Sequence, residues 1–142
     1  MIWFIVLEKL QIEKKKNNLK IQKQYTDLVD KSAIISKTDI NGIITYANNK
    51  FCEVSGYSYD ELIGKNHNII RHPNMPSSVF EEMWSTIKNA KNWGGIIKNL
   101  RKDGQYYWSY TKITPVFNEN NLVGYSAIRK PVLASELPLY WY

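Results

Sequence analysis

Apolar residues follow three different rhythms along this chain. From Leu7 to about Asp30 there is neither Gly nor Pro. Leu, Ile, Lys, Glu, Gln and Asn dominate, a composition that predicts one helix. Leu7, Ile21 and Leu28 fall on a seven-residue spacing with Leu10 at the matching second seam position. Lys14, Asn17 and Gln24 occupy the other seam sites, so a coiled coil built on this face would be weak and a lone helix competes with it.

After Ser32 the period shortens. Ala33 to Thr38 predicts a strand, Asp39-Ile-Asn-Gly42 a turn, and Ile43 to Tyr46 the partner strand of a hairpin. Asn48 to Val54 predicts a short helix. Ser58 to Leu62 predicts another, with Ser58 as N-cap, Glu61 three residues on to complete a capping box, and Gly64 as the stop. Pro76 then opens Ser77 to Lys88, where Val79, Phe80, Met83, Trp84 and Ile87 form one apolar face, which makes Trp84 a core residue. Three strands follow, Trp93 to Arg101, Gln105 to Phe117 and Leu122 to Lys130, joined by hairpin-length turns. This order predicts an α+β fold, a five-stranded antiparallel sheet with short helices on one face. The other face is left for the leading helix or a partner to cover. Three segments result: a helical lead over 1–31, a domain over 32–132 and a tail over 133–142 in which no periodicity is readable.

The 142 residues suffice for one core. An aromatic content of 13% is enough to line a pocket. A single cysteine, Cys52, excludes an intrachain disulfide, and with only His67 and His72 beside it no four-ligand Cys/His zinc site can form. A reducing, cytoplasmic setting follows. The net charge of +6 is spread over the chain rather than gathered in a stripe with aromatics, which argues against nucleic acid. Met1 to Leu7 are apolar for only seven residues, too few to span a bilayer, and predict a helix face packed on the domain or a partner, with no membrane insertion by this chain, the stump of a membrane helix belonging to a larger receptor being the alternative. No nucleophile-base motif, carboxylate pair or phosphate-binding glycine loop points to an enzyme. Gly94-Gly95 lies inside a strand pattern, where it would allow a close approach.

Thr38-Asp-Ile-Asn-Gly-Ile-Ile-Thr-Tyr-Ala-Asn-Asn-Lys-Phe51 and Val54-Ser-Gly-Tyr-Ser-Tyr-Asp-Glu-Leu-Ile-Gly64 resemble the opening of a PAS domain. His67-Asn-Ile-Ile-Arg-His-Pro-Asn-Met-Pro76, Trp93 to Asn99, Tyr107-Trp108 and Gly124 to Arg129 resemble, more narrowly, the PAS sensor of bacterial aerotaxis receptors. The resemblance implies a redox sensor that binds FAD non-covalently and signals to a chemotaxis transducer or another receptor partner, with a homodimer as one arrangement and a membrane-bound receptor as neighbour. It implies cofactor contacts at Arg71, His72, Trp93, Asn48, Asn99 and Tyr107. Where the family has Asp two residues after that histidine, this chain has Asn74, which removes a negative charge beside Arg71 and His72.

The same residues suit an anionic flat cofactor: Arg71 can fork onto a diphosphate, His72 can donate a hydrogen bond, Trp93 offers a ring face and Asn99 both donor and acceptor. In the competing reading Arg71 and His72 cap the next helix and pair with Glu81 or Glu82, and Trp93 is sheet core. Haem ligated by His67 or His72, or a cofactor-free interaction module, are the alternatives.

Overall fold

The computed structural model describes residues 1–138, with side chains given for all of these except 25–30. The elements run α1 (Ile2–Ser32), β1 (Ile34–Asp39), β2 (Ile44–Ala47), α2 (Asn49–Ser55), α3 (Tyr59–Leu62), a 3-10 turn (His67–Ile70), α4 (Ser77–Lys88), β3 (Trp93–Leu100), β4 (Tyr106–Asn118), β5 (Asn121–Val132) and a last 3-10 turn (Ala134–Glu136). Leu28 of the heptad series falls among the side chains outside the described set, and so do tail residues 139–142.

The five strands form one antiparallel sheet in the order β2-β1-β5-β4-β3. β2 and β3 are opposite edges, so the chain between them must cross the whole sheet. It does so on one face, carrying α2, α3, the 3-10 turn and α4 across it. Local chemistry fixes each piece. Asn48 caps α2 by accepting from Phe51 N, and Ser58 and Glu61 close a full capping box on α3. Gly42, in the β1–β2 turn at φ +83, has the Trp84 ring against the place its Cβ would occupy, at 3.2 Å, so both the turn and the packing call for glycine.

Two apolar clusters sit between helices and sheet. One gathers Met83 and Ile87 of α4 with Trp93, Ile97, Ile113 and Tyr125. The other gathers Ile34, Ile44, Phe51, Leu62 and Ile70. Burying a side chain of this size contributes roughly 1.5–3 kcal/mol, so the two clusters carry the fold.

One expectation is corrected. α1 does not lie on the outer face of the sheet: its described side chains are exposed throughout. It contacts α2 instead. Tyr110 and Ile128 on the outer face stay about half exposed. The reason is composition, since beyond Leu10 the helix offers scattered leucines and isoleucines among lysines and no continuous stripe to bury. Among the described residues no helix is long and apolar enough to cross a membrane.

Candidate functional site

The inner face of the sheet is not uniformly apolar. Alternation along the strands turns Asn99 of β3, Ser109 and Thr111 of β4, Arg129 of β5 and Ser36 of β1 inward, and all five are buried. The register sets Thr111 opposite Arg129. These residues form a polar belt across four strands, between the two apolar clusters.

The belt is closely bonded. Ser109 Oγ donates to Asn99 Oδ1 at 2.8 Å and lies 3.1 Å from Thr111 Oγ1. Arg129 donates from one terminal nitrogen to Ser36 Oγ at 3.0 Å and from the other to His67 Nε2 at 2.8 Å. Arginine can only donate, so Nε2 of His67 is an acceptor and the ring proton sits on Nδ1. Ser36 Oγ approaches the same Nε2 at 3.0 Å. Burial pushes the pKa of His67 well below the histidine range, and the Arg129 cation pushes the same way. The imidazole is therefore neutral at physiological pH.

Arg129 is the most telling group. Its guanidinium is buried, and among the described residues no carboxylate forms an ion pair with it. Burial lowers its pKa to about 10, only partly offset by Tyr107. The ring of Phe51 lies 5.6 Å from the guanidinium carbon. Taking a cation out of water without a counter-charge costs several kcal/mol, and hydrogen bonds donated to a serine and a neutral histidine offset only part of that. Such a site is suited to an anionic or acceptor-rich ligand.

The space for one is present. A cavity of about 240 Å³ opens between α4, the 3-10 turn and the sheet. Met83, Ile87, Ile97, Ile113 and Tyr125 form its apolar wall, and His67, Arg71, Asn99, Thr111 and Arg129 its polar one. Trp84 stands at the mouth, its ring edge-on to Tyr125 at 5.7 Å, and also borders a shallower depression shared with Arg71, Phe80 and Lys88. A backbone bridge between Arg71 and Asn99 pins the end of the 3-10 turn to β3. This holds the Arg71 guanidinium over the Phe80 ring at 3.9 Å, between cavity and depression.

The residues expected to line a pocket divide. Arg71 and Asn99 line the cavity. Asn48 spends its side chain on structure: Oδ1 accepts from Ile35 N and Phe51 N at 3.0 Å each, and Nδ2 donates to Ala33 O at 2.8 Å. Trp93 is packed in the α4 cluster, with its ring across Gly95 so closely that a Cβ there would meet it at 2.6 Å. That ring is the close approach for which Gly95 is needed. Tyr107 joins the other cluster, and its buried hydroxyl has no hydrogen-bond partner among the described residues. His72 sits outside the cavity, its Nδ1 accepting from Asn74 N at 3.0 Å and its ring against Tyr106. Asn74 is exposed.

Sequence reasoning missed Arg129 and Ser36, and named His67 only as a haem ligand. Trp84, read as core, is half-buried on the cavity wall. One signal was available: Ser36 and Arg129 occupy the inward phase of strands whose other inward positions are mostly apolar.

A family model described as PAS fold matches residues 44–127. The aerotaxis receptor of Escherichia coli is 41% identical over 124 residues, 84% of this chain and 24% of the receptor. The nitrogen fixation regulatory protein of Klebsiella pneumoniae is 34% identical over 112 residues, 78% of this chain and 23% of that protein. The chain thus spans about a quarter of the length of these relatives. Among solved structures, the PAS domain of a protein from Colwellia psychrerythraea superposes with TM-score 0.70 at 30% identity, covering 79% of this chain and 97% of that one. With the five-stranded sheet, its crossing helices and the cavity between them, the chain belongs to the PAS-fold family as a sensory-type domain related to the aerotaxis receptor.

Proposed function

We propose that the cavity holds a flavin, that the flavin is FAD bound non-covalently, and that the domain reports its redox state to a signalling partner. The observation that carries this reading is the buried Arg129 guanidinium, which has no counter-charge among the described residues and stands with Asn99 and Thr111 on one wall of a cavity whose other wall is apolar. A flat ring system with a polar, acceptor-rich edge is complementary to both walls at once. About 240 Å³ suits such a ring and not a whole dinucleotide. The remainder would extend past Arg71 to the depression bordered by Ser77 and Lys88, where two cations face one carboxylate, Glu81. The 41% identity to an aerotaxis receptor supports the sensing role.

When bound, a flavin supplies reversible electron transfer. The residues of the chain would orient and poise it. Arg129 favours negative charge at the ring edge, neutral His67 holds the guanidinium in place, and Asn99 presents an amide held at its oxygen by Ser109. Haem fits less well. His67 Nε2 already accepts from Arg129 and lies against Ser36, leaving no lone pair for iron. A change at the belt would reach α1 by way of Phe51, which touches both the Arg129 guanidinium and the His67 ring from α2, the helix on which α1 packs.

The absorption spectrum of the purified protein, with mass spectrometry of the released ligand, tests the reading. Flavin bands and an FAD mass are the expected result. Haem bands, or a colourless protein that takes up no added FAD, would refute it.

A further inference from the structure

We propose that the N-terminal end of α1 docks on the surface of an anionic lipid bilayer. Six consecutive residues, Ile2 to Leu7, are all apolar and exposed by 42% to 81%, Trp3 most of all. Successive helix positions are turned by about 100°, so these six cover the whole circumference of the helix rather than one side. A partner helix buries a stripe. It cannot cover an apolar collar that runs all the way round, whereas a lipid interface surrounds whatever enters it.

The contrast with α4 makes the point, since there Met83 and Ile87 fall on one side and both are buried. The positions that would form a seam with a second copy of α1 further along, Lys14, Asn17 and Gln24, are polar and disfavour that occupant.

The charge that follows the collar is complementary to an anionic surface. Between Glu8 and Gln24 the helix carries six lysines against two glutamates, with Lys14, Lys15 and Lys16 in one run. The collar extends about 9 Å along the axis at the α-helical rise. That is close to the ~5–10 Å depth at which interfacial helices lie. Among the described residues no helix is long and apolar enough to span. α1 docks at an angle, Trp3 and Phe4 at the acyl boundary and the lysines over the phosphates. This goes beyond the sensing role and does not depend on a bound flavin.

Flotation of the full 142-residue chain with phosphatidylcholine vesicles, with and without phosphatidylglycerol, tests the proposal. Binding should be about tenfold or more stronger to the anionic vesicles and should weaken as salt is raised. The Trp3→Ser/Phe4→Ser variant should lose binding while its circular dichroism stays unchanged, because both side chains are exposed. Lys14→Gln/Lys15→Gln/Lys16→Gln should bind both vesicle types alike and weakly. Failure to float on either vesicle would overturn the proposal, as would equal binding of the unmodified chain to both. So would a dimer in sedimentation equilibrium that Trp3→Ser/Phe4→Ser abolishes without any vesicle binding, since a second copy would then be the occupant.

Discussion

Trp93 and Trp84 pack in the same apolar cluster and play different parts. Trp93, at the start of β3, is 6% exposed and closes the apolar cluster beneath α4, its ring laid over Gly95. Trp84, on α4 itself, lines the cavity and its mouth. Periodicity suggests the reverse, because Trp84 repeats with Val79, Phe80, Met83 and Ile87 while Trp93 begins a strand. One apolar face of α4 serves both the cluster and the cavity. Met83 and Ile87 close the core and the flanking Trp84 borders open space.

The comparison is broken most severely at Trp93. Trp93→Ala should cost ~3–5 kcal/mol of stability, the usual range for removing a buried large aromatic, because the void lies in the cluster and not in the cavity. Urea denaturation measures it. A stable variant that has lost only its ligand would return Trp93 to the binding site.

Beside that cluster lies the polar belt, and Arg129→Met asks what the belt is for. Replacing a buried cation that has no counter-charge among the described residues by an apolar side chain of similar reach removes a desolvation cost, so the stability of the ligand-free protein should hold or rise. Flavin affinity should fall about ten- to hundredfold, the equivalent of the ~1.5–3 kcal/mol carried by a hydrogen bond to a charged group. A marked loss of stability with unchanged affinity would make Arg129 a structural residue and leave the cavity without its polar recognition element.

His67 gives the belt a pH signature. Its folded pKa lies well below the usual histidine value because of burial and Arg129. Below about pH 6.5 the unfolded chain takes up a proton that the folded one does not, so stability drops as pH falls through that value. The slope from this group approaches ~1.4 kcal/mol per pH unit until the folded pKa is reached. Denaturation midpoints of the protein and of His67→Gln should diverge between neutral pH and pH ~5 in that direction. Parallel curves would place a charged imidazole in the fold and contradict the Nδ1 tautomer.

Trp84→Ala is the milder counterpart of Trp93→Ala. The ring is half-buried and edge-on to Tyr125, an arrangement that contributes ~0.5–1.5 kcal/mol beyond buried area. The loss should appear in ligand affinity more than in unfolding, and a stability loss matching that of Trp93→Ala would erase the distinction.

What was legible in the sequence was local. The capping box of Ser58 and Glu61, the glycine turn at Gly42 and the limits of α4 depend on neighbours within a few positions, and each is present in the structure within a residue or two. The belt depends on strand pairing. Ser36 and Arg129 are 93 positions apart and meet because β5 runs antiparallel to β1, a choice no short window encodes. Asn48 matched a pocket motif for a different reason, since an N-cap asparagine satisfies a short helix whether or not a ligand is near. At the start of the helical lead the sequence predicts an apolar face, and the exposure of Ile2 to Leu7 shows that this face does not pack on the domain itself.

Asn74 is where the motif and the geometry diverge most quietly. The family pattern has aspartate here, and a carboxylate that oriented Arg71 and His72 would tighten cofactor binding. In the structure the Asn74 side chain is exposed, its backbone N–H rather than its amide engages His72, and the Arg71 guanidinium is already held over Phe80. An exposed carboxylate near an arginine contributes ~0–1 kcal/mol and is screened by salt. Asn74→Asp should therefore tighten flavin binding by no more than about fivefold, an effect that fades at high ionic strength. Titration at two salt concentrations measures both. A gain of a hundredfold that persists in salt would require the loop to fold inward over the mouth, bringing residue 74 and His72 into the site and moving the boundary of the cavity from Trp84 to that loop.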